Sequence, residues 1–255
     1  MARSIKSRVI ALLLLTNLIL CVLDMSYPPA PWHLYGSAVE SFHAIDVARA
    51  KQFVPVDLEI VSVLPGKTVG SVYLSVYESN STLQYHELIV APALVRYQGK
   101  IGAWISHIYV DSATSVAGGR NIWGLPKQMA DFSWSDRQIA VSQNNISLCQ
   151  VDRSQIELPL SFWDKFKISG NVFGGLERDI LSFQGDVEAE LKWHPFNLNI
   201  PVESSFAALD LGSPWFTIQF DRLHLTVNAP SIVGNWTCEA ASRHPSGFNP
   251  WHSSR

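Results

Sequence analysis

The feature that most limits what this chain can fold into is a repeated two-residue alternation. In residues 68–77 it puts Val69, Ser71, Tyr73, Ser75 and Tyr77 on one face of an extended backbone. Residues 87–97 are rich in Val, Leu and Ile, and residues 101–110 in apolar and aromatic side chains. Residues 216–227 alternate through Ile218 and Phe220, then through Leu223, Leu225 and Val227. Period two with β-branched and aromatic residues predicts half-buried strands, because successive side chains leave a strand on opposite sides. Tyr97-Gln98-Gly99-Lys100 reads as a hairpin turn joining two of these runs.

Helical patterns are few. Residues 46–53 offer Asp46 as a cap, with Val47, Ala50 and Phe53 facing one way and Pro55 as the stop. Residues 112–118 predict a second short helix ending at Gly118-Gly119. Many strands with short helices between them give a mainly β (α+β) class, in the form of a closed or strongly curved antiparallel β-barrel. A barrel interior offers a dry pocket. With 47% hydrophobic and 16% charged residues the chain is rich in core, and a net charge of −3 without a basic stripe excludes nucleic acid as a partner.

No Pro/Gly/Ser-rich linker divides the chain, so residues 25–239 read as one domain, followed by a polar, loose tail over 240–255. Residues 1–24 differ: Arg3, Lys6 and Arg8 precede an apolar run over 9–23. That is the pattern of a targeting or anchor segment, or of an extension upstream of a start at Met25. A start at Met25 implies a cytoplasmic protein; retention of the segment implies membrane anchoring or export. Nothing in the spacing of Cys149 and Cys238 requires them to pair. Asn80, Asn145 and Asn235 head Asn-x-Ser/Thr sequons, which matter only on a eukaryotic secretory route.

One lysine stands out chemically. Lys127 closes Gly118-Gly119-Arg120-Asn121-Ile122-Trp123-Gly124-Leu125-Pro126-Lys127, with no acidic residue in the nine positions before it or the three after. An ammonium among apolar groups loses hydration, so its pKa is expected to fall. A neutral lysine amine is a nucleophile that forms a Schiff base with a ketone or aldehyde. His43, His86 and His107 lack metal-site spacing, Ser106-His107 lacks a nucleophile elbow, and Gly118-Gly119-Arg120 fits neither phosphate-binding glycine fingerprint. No metal or cofactor is expected.

The stretch from Gly119 to Lys127 resembles the active-site segment of the acetoacetate decarboxylase family. Pro55-Val56-Asp57-Leu58-Glu59 resembles that family's early Pro-x-x-Leu-Glu turn, Tyr85-His86-Glu87 its Tyr-x-Glu, and Tyr109-Val110-Asp111 the strand end before the lysine helix. The similarity runs from about Pro28 to about Trp134. It implies a cone-shaped β-barrel, a homo-oligomer, and a mechanism in which Lys127 forms an imine and Glu87 is the acid/base or orienting carboxylate. Trp123, Tyr85 and Arg120 are the candidate substrate-binding residues, Arg120 doubling as a structural partner for carbonyls after the glycine pair.

The chain departs from that pattern in three places. Gln128 stands where the decarboxylases carry a second lysine. The substrate-carboxylate arginine falls at about Ala44, beside Phe42 and His43, and a further glutamate falls near Val72 and Tyr73. Two readings therefore stand. One is a Schiff-base lyase, of decarboxylase or aldolase/dehydratase type, for a small keto acid or aldehyde. The other is a barrel that binds an apolar ligand without chemistry, such as a lipid or a carotenoid or other isoprenoid, as the more distant plant neoxanthin-deficiency proteins suggest.

Overall fold

The structure, a computed structural model, describes residues 27–153, 158–159 and 166–237; the segment 1–24, the tail 240–255 and Cys238 lie outside the described residues. In chain order the elements are β1 (Trp32–Asp46), α1 (Val47–Ala50), β2 (Glu59–Ile60), β3 (Lys67–Tyr77), β4 (Tyr85–Ala91), β5 (Ala93–Tyr97), β6 (Lys100–Trp104) and β7 (His107–Val110). Then come α2 (Ala113–Trp123), β8 (Lys127–Met129), β9 (Asp131–Trp134), β10 (Gln138–Gln143), β11 (Ile146–Arg153), β12 (Leu158–Pro159) and β13 (Phe166–Leu176). The rest are β14 (Asp179–Trp193), β15 (Phe196–Asn199), a 3-10 turn (Ala207–Leu209), β16 (Phe216–Val227) and β17 (Ser231–Asn235).

The mainly β expectation holds. Among the described residues, thirteen strands form one sheet in the order β2-β5-β6-β13-β14-β16-β1-β3-β4-β7-β8, with β12 and β17 pairing onto β14. A second sheet runs β15-β11-β10-β9. Two expectations are corrected here. The large sheet has two ends, β2 and β8, and is not closed into a barrel. Nor is it wholly antiparallel: β13 pairs β6, and β7 pairs β8, in parallel.

Alternation places β3 as the sequence predicts, but both faces are covered rather than one. Val72 and Leu74 enter a core shared with Ile139, Val141, Val151, Phe206 and Leu209. Tyr77 and Tyr73 face a second cluster containing Trp32, Leu34, Tyr85, Ile108 and Trp123. β16 runs over the predicted residues, and the phase slip between Phe220 and Leu223 is a bulge. Gly36 and Ala38 of β1 pair with Leu223 and Phe220, leaving two residues of β16 opposite one, and Arg222 takes φ 48°. The turn at Gln98-Gly99 has φ 46° and 80°, the left-handed pair that joins tightly twisted strands.

The other two predicted runs are each broken. Residues 87–97 divide at Pro92, which cannot donate to a ladder, so β4 stays with β3 while β5 turns to β6 and β2. Residues 101–110 divide at Ile105-Ser106, sending β6 to β5 and β7 to β4. The helix predicted over 46–53 shrinks to the four residues of α1. The Asp46 carboxylate makes no cap there; it pairs with Lys67 at 2.9 Å.

The second helix is corrected in the opposite direction. α2 does not stop at Gly118-Gly119 but runs through them to Trp123. Ser112 caps it by accepting from the Ser115 amide at 3.2 Å, and Gly124 ends it with φ 63°. The glycine pair is inside the helix because neighbours press on it. A Cβ on Gly118 would lie 2.5 Å from the Trp32 ring, and one on Gly119 would lie 2.7 Å from Lys127 Cε. Gly124 in turn lies against the Gly174-Gly175 backbone of β13, whose Gly175 amide donates to the Gly124 carbonyl at 3.2 Å. Cys149 is fully buried in the first core, where desolvation pushes its thiol up to about 12.

Gly124→Ala meets both a left-handed backbone, which costs an L-residue about 1–2 kcal/mol, and a direct overlap with Gly175. Urea unfolding is expected to show a loss of at least that size, whereas Gly99→Ala, with nothing near its Cβ position, should show the backbone cost alone.

Candidate active site

Four elements bring the site together. β4 carries Tyr85 and Glu87 two residues apart, on one face. β7 lies beside it, with Val110 opposite Glu87 and Ile108 opposite Ile89. β8 then pairs in parallel with β7, which sets Lys127 beside Ile108. α2 crosses between them, held at one end by the Ser112 cap and at the other by Gly124.

Lys127 begins β8 and reaches back across α2. Its methylenes pass over bare Gly119, where a side chain would occupy their space. Its Nζ donates to Glu87 Oε1 at 2.7 Å, to Ser115 Oγ at 3.0 Å and to Tyr85 OH at 3.4 Å. The Tyr85 and Trp32 ring centroids lie 4.9 and 5.6 Å from it, completing its shell with aromatic faces. Both side chains of the Lys127–Glu87 pair are 4% exposed. The lysine is thus not surrounded by apolar groups alone, as its sequence neighbourhood suggested. The carboxylate arrives from forty positions upstream through sheet pairing.

Glu87 is held from both sides. Oε1 takes the lysine, and Oε2 accepts from Tyr77 OH at 3.1 Å. Tyr77 OH lies 3.4 Å from Tyr73 OH. Burial is the largest cause raising the phenol of Tyr77, and also that of Tyr85, well above the ordinary tyrosine range; the Glu87 charge adds to it. These phenols stay protonated; Tyr77 donates to Glu87, and the Tyr85 oxygen accepts from Lys127.

Tyr85, Glu87, Trp123 and Lys127 line one cavity of about 100 Å³. Apart from Tyr85, Glu87 and Lys127 its lining is apolar, including Trp32, Leu34, Ile108, Leu125, Phe183 and Val227. Arg120 does not line it. The Arg120 Nε donates to the Lys127 carbonyl at 2.7 Å and so fixes the backbone that carries the lysine. Trp123 presents its ring to the cavity while its Nε1 donates to the Asn228 carbonyl at 2.7 Å. Where the resemblance places an arginine, Ala44 is half-buried and His43 is buried, bonded to the Leu211 carbonyl and Ser41 Oγ. Among the described residues, no arginine lines the cavity. Near where the resemblance places a further glutamate stand buried Val72 and the half-buried Tyr73 phenol.

Sequence reading missed Ser115, because a serine in mid-helix carries no mark of what it faces. It missed the use of Tyr77 and Tyr73, although period two had already set them on one face; the lacking information was the register that sets Ser75 opposite Glu87.

A family model described as acetoacetate decarboxylase matches residues 23–158. Protein NEOXANTHIN-DEFICIENT 1 of Oryza sativa subsp. japonica is 32% identical over 271 residues, spanning 80% of this chain and 89% of that protein. The relation to the rice protein is thus extensive rather than remote. The crystal structure of acetoacetate decarboxylase from Legionella pneumophila subsp. pneumophila str. Philadelphia 1 has a TM-score of 0.66 at 17% identity, covering 82% of this chain and 90% of that one. The enduracididine biosynthesis enzyme MppR, complexed with the condensation product of pyruvate and imidazole 4-carboxaldehyde, has a TM-score of 0.58 at 17% identity, covering 84% and 92%. At such identities the two structures speak to the fold.

Removing one member of a buried ion pair strands the other, at a cost of about 3–5 kcal/mol. Lys127→Met alone is therefore expected to lower unfolding free energy by that order in urea titrations. The double variant Lys127→Met with Glu87→Leu should recover much of the loss; a double variant as unstable as the sum of the singles would contradict the pairing.

Proposed function

Because the chain belongs to the acetoacetate decarboxylase family, we propose that it is a lyase that forms an imine between Lys127 and a small carbonyl compound. The observation that carries this is the 2.7 Å contact between Lys127 Nζ and Glu87 Oε1 inside a mainly apolar cavity. An ammonium is no nucleophile, but its proton has a receiver at hydrogen-bond distance. Transfer to Glu87 yields amine and carboxylic acid with no change in the net charge of the cavity.

The amine then adds to the carbonyl carbon. One proton of the added amine passes to the alkoxide to give the carbinolamine, Glu87 returns its own proton to the same oxygen, water leaves, and an iminium remains opposite the Glu87 carboxylate. That cation draws electrons from a bond at the adjacent carbon, C–C or C–H, and becomes a neutral enamine. Reprotonation at carbon and hydrolysis of the imine release product and restore the lysine. Tyr85, 3.4 Å from Nζ, is placed to donate to the carbonyl oxygen during addition, and Ser115 holds the amine on line.

The same cavity favours uncharged carbonyl compounds over keto acids. Among the described residues its only lining cation is Lys127, already matched by Glu87, and a second carboxylate beside Glu87 would be unpaired. Retro-aldol, dehydration or α-proton exchange therefore suits the site better than decarboxylation of acetoacetate. A cavity of about 100 Å³ is several times the ~10–15 Å³ that one water requires, room for a short-chain aldehyde or ketone. The apolar lining and the match to the rice protein support a second reading, binding of an apolar ligand without chemistry; the volume confines such a ligand to a short chain or to one end of a longer one.

Incubation with aldehydes, ketones and keto acids, reduction with cyanoborohydride and mapping by mass spectrometry separate the two. An adduct on Lys127, strongest with uncharged carbonyls and absent from Lys127→Ala, is expected. Glu87→Gln should slow its formation by about 10²-fold or more. A folded protein that gives no adduct on Lys127 across the panel removes the lyase reading and leaves ligand binding.

A further inference from the structure

The polar groups of the site do not end at Glu87. Behind it, away from the cavity, Tyr77 OH donates to Oε2 at 3.1 Å and lies 3.4 Å from Tyr73 OH. Neither phenol lines the cavity. Tyr73 and Tyr77 are four residues apart on β3, about 13 Å at strand rise, so their rings lean toward one another over the small Ser75. Tyr73 is paired directly with Glu40 of β1, on the shared face of the sheet. Directly opposed side chains start ~4.5–5.5 Å apart at Cβ; the Glu40 carboxyl is hydrogen-bonded to Ser71 and its charge acts on the Tyr73 phenol, a separation that one water can bridge. Burial falls along this line. Lys127, Glu87 and Tyr77 are at most 3% exposed, while Tyr73 and Glu40 are only partly buried.

We propose that Glu87, Tyr77, Tyr73 and Glu40 form a proton relay joining the buried lysine pair to a proton store on β1. The relay rests on the imine reading for its purpose, which is to replace the proton that an enamine takes up at carbon. In one passage Glu40 gives its proton to a bridging water, the water gives one to the Tyr73 oxygen, Tyr73 gives its own to Tyr77, and Tyr77 gives its own to Glu87 Oε2. One proton moves from Glu40 to Glu87, each phenol ends neutral, and no bond to carbon is made or broken.

The electrostatics fit both roles. Desolvation, foremost, raises the phenols of Tyr73 and Tyr77, so no tyrosinate accumulates and the transfers are concerted. Desolvation also raises the Glu40 carboxyl to about 7, against a smaller opposing effect of the Ser71 hydrogen bond. A carboxyl at that value gives and takes protons readily near neutrality. Facing Glu40, β3 presents Tyr73 directly opposite, flanked by Ser71 and Ser75, and beyond Tyr73 β4 presents Ile89. From β16 it meets Ile218, flanked by Phe216 and Phe220, none of them ionisable.

Two measurements test the relay. In D2O, a ketone held as the imine should exchange its α-hydrogens. Tyr73→Phe, Tyr77→Phe and Glu40→Gln are each expected to slow that exchange by about 10²-fold, while in Tyr73→Phe and Glu40→Gln, which do not touch Glu87, cyanoborohydride trapping on Lys127 stays at the wild-type rate. Exchange unchanged in all three variants overturns the relay. Infrared spectra of protein carrying 13C-carboxyl glutamate need no substrate. They should show a protonated-carboxyl band that fades as pH rises through about 7, is missing from Glu40→Gln, and shifts its midpoint in both phenylalanine variants. A band that persists in Glu40→Gln, or a midpoint that neither phenylalanine moves, also overturns it. If wild-type protein traps no carbonyl, the imine reading fails by itself, and the infrared arm still decides whether the four groups are coupled. If Glu40→Gln does not fold, the two near-isosteric phenylalanine variants decide the question.

Discussion

An ammonium and a carboxylate buried together impose the conditions that the rest of this molecule meets. Either charge alone would cost several kcal/mol to desolvate, and their mutual attraction repays that only when the remaining donors and acceptors also find partners. Here the partners are supplied in full. Ser115 and Tyr85 take the other contacts of the lysine, two aromatic faces close over it, and Tyr77 occupies the second oxygen of Glu87. The pair is therefore rigid in geometry yet able to redistribute one proton internally.

Such a shell has to be assembled from distant parts of the chain, and the large sheet does this by register. β3, β4, β7 and β8 lie side by side, so residues numbered in the seventies, eighties, around 110 and at 127 share one face. The helix between β7 and β8 must then approach closely enough for a serine to reach Nζ. That closeness explains Gly118 and Gly119 within a helix, where each costs about 1 kcal/mol of helix propensity. Space for Trp32 and for the lysine stem outweighs that cost.

Much of this was legible in the chain. Lys127 announced itself by its glycine, tryptophan and proline neighbours, and Glu87 by the tyrosine two positions before it. β3 and β16 follow from alternation, and even the bulge at Arg222 is visible as a slip of phase. What local pattern could not give were facts of contact. Gly118-Gly119 reads as a stop unless one knows that Trp32 and Lys127 lie against it. Pro92 splits an unbroken apolar run because the two halves pair with different strands. Asp46 looks like a helix cap until Lys67 comes within 2.9 Å. The open ends of the sheet could not be read from alternation, which is the same for a closed and an unclosed barrel.

Those ends carry a consequence of their own. A sheet that does not close leaves backbone donors and acceptors without partners at its margins, and these are templates on which other chains can add strands. Here the terminal strands of the large sheet, β2 and β8, are two and three residues long. At β8 the carbonyl of Lys127 is also taken by Arg120. The margin next to Lys127 is thus too short and too occupied to recruit a foreign strand, which lets the site sit at the border of the sheet without inviting fibrillar association.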